Sequence, residues 1–165
     1  MNQPVVRAVR VECAVEHAFD VFTSRIDLWW PLSHRRREGS VMLLEPTVGG
    51  RFAERSPSGE EVRMGEVVRC EPPHAISFTW YPGAIERPTT VDVRFIDNGT
   101  YTLVEVTHSE GRSGLGDAWP QRAQVFAKNW GLVLPAYENA AKGAVRAAPG
   151  SRERTWELSI GRKES

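Results

Sequence analysis

The stretch TTVDVRFIDNGTYTLVEVTHS, residues 89–109, decides the fold. Val91, Val93 and Phe95 alternate with Asp92 and Arg94. Beyond the Asn98-Gly99 pair, Val104 and Val106 alternate with Glu105 and Thr107. Period two on both sides of an Asn-Gly turn predicts a β-hairpin with one apolar and one polar face. A sheet wetted on one side is antiparallel, and its apolar face has to be covered by another element. His108 lies two residues past Val106 and therefore joins the apolar side.

The cover lies downstream. From Asp117, an expected N-cap with Pro120 in the first turn, the chain reads DAWPQRAQVFAKNWGLVLPAYENAAKG. Trp119, Phe126, Trp130, Val133, Leu134 and Tyr137 fall on one helical stripe. Gly131 and Pro135 predict a bend in that helix, and Gly143 its end. Residues 144–165 lose the pattern and read as an extended or mobile tail, in which Trp156 has no evident partner.

Upstream of the hairpin, SVMLLEP, GGRFAERS, EVRMGEVVRCEPP and HAISFTWYPG read as further strands, punctuated by Pro46, Gly49-Gly50 and SPSGEE. Val5–Cys13 alternates as a first strand. VEHAFDVFTS then switches to helical spacing up to about Thr23, and a second short helical piece ends at Pro31. The expected order is strand, two short helices, about six antiparallel strands and one long helix. The fold class is α+β: a curved antiparallel sheet wrapped around a long C-terminal helix, as a single domain over residues 1–143.

Composition narrows the function. Lys plus Arg and Asp plus Glu number 21 each in 165 residues, so the zero net charge speaks against a general nucleic-acid binder. Cys13 and Cys70 form no CxxC pair and read as free thiols. No apolar run approaches the ~20 residues of a membrane span, and no secretory h-region opens the chain, so a cytoplasmic setting is expected. No metal-ligand spacing such as HExxH and no cofactor fingerprint is present, so neither a metal nor a cofactor is expected.

The six tryptophans are the unusual feature. A buried indole needs a partner for its N–H, so tryptophan is a costly core filler. Trp29, Trp30, Trp80, Trp119 and Trp130 all lie on elements expected around the space between sheet and helix. Aromatic walls with few polar groups are what a small-molecule pocket uses. In the Trp29–Trp30 pair, one ring is expected inward and the other partly outward. Arg35, Arg36 and Arg37 read as a solvated loop, with an anion clamp at an entrance as the alternative.

Four stretches carry a family resemblance: AFDVFTSRIDLWWP (18–31), LEPTVGGRFAERSPSGEEVRMGEVVRCEPPHAISFTWYPG (44–83), TLVEVTHS (102–109) and NWGLVLPAYENAA (129–141). The chain resembles the activator-of-heat-shock-protein-90-ATPase homologue family, in the START-like (SRPBCC) superfamily of polyketide cyclases and lipid carriers, in its bacterial stand-alone form. The resemblance implies the helix-grip (START/birch-pollen-allergen-like) fold, with a deep cavity between the sheet and the last helix. It also implies that Glu54 and Glu66, in the GGRF…E and G-E-V motifs, face the cavity mouth. The plain reading of those two carboxylates is solvation or pairing with Arg51 or Arg63. The eukaryotic co-chaperone carries a further N-terminal domain, so chaperone activation is not carried over.

The expected lining therefore combines Trp29, Trp30, Phe78, Trp80, Trp119, Phe126 and Trp130 with Met64, Val93, Phe95 and Val106. His108, Glu54 and Glu66 are its candidate polar groups. His108 is the candidate acid–base residue, against the plainer reading of a satisfied strand-end histidine. The GRSGLG loop (111–116) is expected as a hinge or lid. The expected function is binding of a small apolar or amphipathic ligand in the internal cavity. The alternatives are a cyclase- or hydrolase-like enzyme using His108 with a carboxylate, and a protein–protein module. A homodimer is left open by the sequence.

Overall fold

Period-two patterning folds into seven strands: β1 (Val5–Val11), β2 (Val41–Leu44), β3 (Arg51–Arg55), β4 (Glu61–Glu71), β5 (Ala75–Trp80), β6 (Thr89–Asp97) and β7 (Thr102–Ser109). The computed structural model describes residues 2–81 and 87–147, with side chains to Lys142. All strands pair antiparallel in one sheet, in the order β1-β7-β6-β5-β4-β3-β2. The hairpin of residues 89–109 supplies the second and third strands from the β1 edge. Val93 faces Val106 and Phe95 faces Val104, all buried, while Arg94 and Glu105 pair on the wet side. The connection is longer than a two-residue turn. Asp97 pairs with Thr102, Asn98 N donates to Tyr101 O, and Gly99 takes the left-handed φ of +87°.

Register breaks curve the sheet. Irregularities fall between Phe52 and Ala53 in the β3–β4 ladder and between Val67 and Arg69 in β4–β5. Gly65 sits between them for a steric reason. A Cβ there would overlap the carbonyl oxygen of Thr79, because the end of β5 runs tightly over this point. Tyr81 N donates to Met64 O and Glu66 N to Thr79 Oγ1, which holds the approach.

The concave face holds helix α2 (Trp119–Ala147), with helix α1 (Val15–Phe22) closing one end. Val15, Ala18, Phe19 and Phe22 are buried on α1. Tyr137 of α2 donates its hydroxyl to Ala18 O at 2.7 Å, and Phe22 packs on Tyr137 at 5.0 Å. The helical stripe from Trp119 to Tyr137 is buried as its spacing predicts. Two boundaries differ from expectation. Asp117 lies in a 3-10 turn (Gly116–Ala118) ahead of the helix rather than at its cap. Gly131 and Pro135 lie inside α2, which runs through them as one helix, as expected, with one backbone hydrogen bond lost at the proline. Gly143 does not end it; the helix-forming run Ala144–Ala147 carries it on. The rest of the expected tail, with Trp156, lies outside the described residues. No helix of the described residues is long and apolar enough to cross a membrane.

Candidate functional site

Where sheet and helix diverge, a hollow of about 50 Å³ remains. Phe52 of β3, Trp80 of β5 and His108 of β7 line it from the sheet. Phe126, Asn129, Trp130 and Val133 line it from α2, and Trp30 and His34 from the connecting segment. Among the described residues the opening beside Trp80 and His108 is present, and the hollow behind it is much smaller than the deep cavity the resemblance implies. Large side chains have filled it. Trp30, Phe52 and Trp80 form one aromatic cluster, with ring centroids 5.5 Å (Trp30–Phe52), 5.2 Å (Phe52–Trp80) and 6.4 Å (Trp30–Trp80) apart. On the helix side, His108 stacks on Phe126 at 4.1 Å and 20°.

His108 is 1% exposed, and both of its ring nitrogens are engaged. Trp130 donates its indole N–H to Nδ1 at 3.1 Å. An Nδ1 that accepts is unprotonated, so the neutral ring carries its proton on Nε2. Nε2 then donates to Thr89 Oγ1 at 2.8 Å, and that hydroxyl donates to Trp80 O at 3.3 Å. Burial pushes the imidazole down to about 4. The result is a neutral, fully satisfied histidine tying α2 to β5, β6 and β7.

Five of the expected lining residues meet at the hollow: Trp30, Trp80, His108, Phe126 and Trp130. The other aromatic candidates lie behind it. Trp29 is as buried as Trp30, not partly outward; its indole donates to Val21 O at 2.7 Å, and it packs on Phe22 and Tyr137. A 3-10 turn (Ile26–Leu28) and the Trp30 N–H bonded to Ile26 O bend the backbone enough for both rings to turn inward. Trp119 donates to Gln3 O at 2.7 Å and backs His108 and Phe126. Phe78 packs against Phe52, and Phe95 against Phe19 and Phe22. Met64, Val93 and Val106 are buried in the core away from the hollow.

Neither expected carboxylate reaches the hollow. Glu66 is exposed on β4. Glu54 is 3% exposed and accepts from Arg36 N, Arg37 N and Ser40 Oγ at 2.7–3.0 Å. Burial alone would raise its carboxyl. The hydrogen bonds from Arg36, Ser40 and Arg37, with the Arg36 charge, outweigh burial and hold it below the usual carboxylate range. Of the plain alternatives, Glu66 takes the solvated one, and neither carboxylate pairs with Arg51, which binds Glu45 and Glu61.

The arginine run divides in two. Arg35 is not solvated: its side chain is 8% exposed and its guanidinium reaches Asp27 Oδ1, Asp27 O, Trp30 O and Ser40 O at 2.7–3.1 Å. Arg36 and Arg37 are exposed and line a separate open cleft of about 720 Å³ with Glu38, Glu54 and Glu60, whose mixed charges make no anion clamp. Arg35 and Glu54 together pin residues 35–40 to the body. The 3-10 turn Leu32–His34 before them is held more loosely, with Trp30 Nε1 donating to His34 O at 3.4 Å. The GRSGLG loop does not line the hollow; Glu110 binds its Gly116 N and also Asn2.

Four lining residues went unpredicted: His34, Phe52, Asn129 and Val133. Phe52 lies in the GGRF motif and Val133 on the helical stripe, so both carried a signal. His34 sits in a loop and Asn129 on the polar edge of a helix, where period marks nothing. Among the described residues no group of three or more His, Cys, Asp or Glu side chains is arranged to hold a metal ion.

A curved antiparallel sheet gripping one long helix, with a residual aromatic hollow between them, defines the START-like class of helix-grip proteins. Within it, the chain belongs to the family described as activator of Hsp90 ATPase homolog 1-like protein, whose profile matches residues 12–137. Members of this class typically bind ligands in the cavity. Among solved structures, an anthrahydroquino-γ-pyrone synthase, Txn09, is 34% identical, with 74% of this chain and 86% of that one covered and a TM-score of 0.50. The Aha1 dimer from Colwellia psychrerythraea is 13% identical, with 86% and 97% covered and a TM-score of 0.61. Protein MLL2253 from Mesorhizobium loti is 16% identical, with 87% and 97% covered and a TM-score of 0.60. Both of these share the fold. No curated protein matches the chain.

Proposed function

We propose that the protein binds a small, flat aromatic molecule, apolar or amphipathic, in the hollow between sheet and α2. The observation that carries this reading is the wall itself: Trp30, Phe52, Trp80, Phe126 and Trp130 converge on one unfilled space that opens outward. Aromatic faces stack on flat ligands, and burial of apolar ligand surface supplies affinity at about 25 cal/mol per Å². Ordinary ligand sites occupy roughly 300 Å³ or more, so the hollow of about 50 Å³ has to widen on binding. The loosely held turn Leu32–His34 is the element that swings, since residues 35–40 are pinned by Arg35 and Glu54.

Thermal unfolding with 1,8-dihydroxyanthraquinone tests the reading. A ligand at ten times its Kd adds about 1.4 kcal/mol, which raises the Tm by about 3–6 °C. The Trp80→Ala variant is expected to fold and to lose this shift. A wild-type Tm that does not respond to any flat aromatic ligand sinks the reading.

The 34% identity to the synthase favours a second reading, in which the same pocket converts a polycyclic aromatic ligand. Both nitrogens of His108 are hydrogen-bonded within the protein, so this reading routes no proton through it. Product formed from a hydroxyanthraquinone by wild type, and not by Trp80→Ala, supports turnover. Unchanged ligand at saturating binding removes it.

A further inference from the structure

The binding reading above leaves one question of chemistry: what distinguishes one end of the ligand from the other. The walls are aromatic, and His108 has no nitrogen to spare. Two other polar side chains line the hollow from different elements. His34 comes from the 3-10 turn after Trp30, and Asn129 from α2, one residue before Trp130. Both are half-buried. His34 Nδ1 lies 3.0 Å from Ser33 Oγ, and its Nε2 has no partner among the described residues. The Asn129 carboxamide likewise makes no hydrogen bond among the described residues, although it has two donors and an acceptor. Among the described residues, no Arg, Lys, Asp or Glu lines the hollow.

We propose that His34 and Asn129 form a specificity-determining polar rim, which recognises a hydroxyl or carbonyl group at the outer end of a neutral aromatic ligand. The inner end of that ligand lies against Phe126 and Trp130. The rim chemistry suits a phenol or quinone. An imidazole nitrogen and a carboxamide donate and accept, so they satisfy a hydroxyl, which does both, or a ketone, which only accepts. An ammonium group finds no Asp or Glu, and a carboxylate no Arg or Lys, among the described lining residues, and either loses its hydration on entry. This makes the site amphipathic along its length: aromatic inside, hydrogen-bonding at the mouth.

Naphthalene and 2-naphthol share one ring system and differ by a hydroxyl, so their affinity ratio isolates the rim. Affinities are read from tryptophan fluorescence quenching in wild type, His34→Leu, Asn129→Leu and the double variant, with folding checked by circular dichroism. In the double variant the preference for 2-naphthol is expected to fall about fivefold to tenfold, the weight of one hydrogen bond. Naphthalene affinity stays within about twofold, in the same measure. An unchanged ratio overturns the rim and leaves the aromatic pocket standing. Equal loss of both ligands in folded variants also overturns it, since the two side chains then act by packing. A wild type that binds neither probe removes the pocket reading and the rim together.

Discussion

The indole N–H of Trp130 donates to Nδ1 of His108 at 3.1 Å, and this bond sets the tautomer of a histidine buried between sheet and helix. It leaves Nε2 as the donor to Thr89 and so completes a chain from α2 to the backbone of Trp80. Replacing Trp130 by Phe keeps most of the ring and removes the donor. Nδ1 is then buried and unpaired, at a cost of about 1–3 kcal/mol. Urea unfolding of Trp130→Phe, His108→Phe and the double variant is expected to show coupling, with the double variant less destabilised than the sum of the singles.

Stability should fall with acid before most carboxylates titrate. The folded pKa of His108 is depressed to about 4 by burial, while the unfolded chain titrates near 6.5. The unfolded state therefore binds more protons between these values. The contribution is complete above pH 6.5 and is lost as pH falls toward 4, at most about 3 kcal/mol. His17, also depressed by burial first and then by Arg25, acts in the same direction. Unfolding free energy measured from pH 7 to 4.5 is expected to fall in wild type and to fall less in His108→Gln.

Glu54→Gln tests the anchor of the arginine loop. The carboxylate receives two backbone N–H groups and a serine hydroxyl, and an amide turns one oxygen into a donor facing donors. A loss of about 2–3 kcal/mol is expected. Hydrogen exchange at the Arg36 and Arg37 amides should quicken by more than the global change requires.

Gly65→Ala tests the tight crossing of β4 and β5. The added methyl would overlap Thr79 O, which is backbone and cannot rotate away. A loss of about 3 kcal/mol is expected, together with altered shifts at Met64 and Tyr81, whose hydrogen bond holds the crossing.

The hairpin of residues 89–109 was legible because its period is local: each side chain's face follows from its neighbours two positions away. The stripe on α2 was legible for the same reason, and it placed Phe126 and Trp130 at the hollow. The placements of Trp29 and Arg35 were not. Trp29 turned inward because a 3-10 turn bends the chain, and Arg35 was buried because Asp27, Trp30 and Ser40 offer it four oxygens. Glu54 illustrates the same limit. Its partners are amides 17 and 18 residues away, which no spacing rule brings together.

By itself the sequence determined the family, the order of elements, and the side of the sheet on which His108 stands. Those properties depend on residue type and short-range alternation. Only the tertiary structure decided that the space between sheet and α2 is nearly closed among the described residues, that His108 is bound to Trp130 and Thr89, and that His34 and Asn129 line the same hollow. The physical reason is that a cavity is what packing leaves over. Its size and its unpaired groups are set by how side chains from distant segments fill the same volume, and no single segment records that competition.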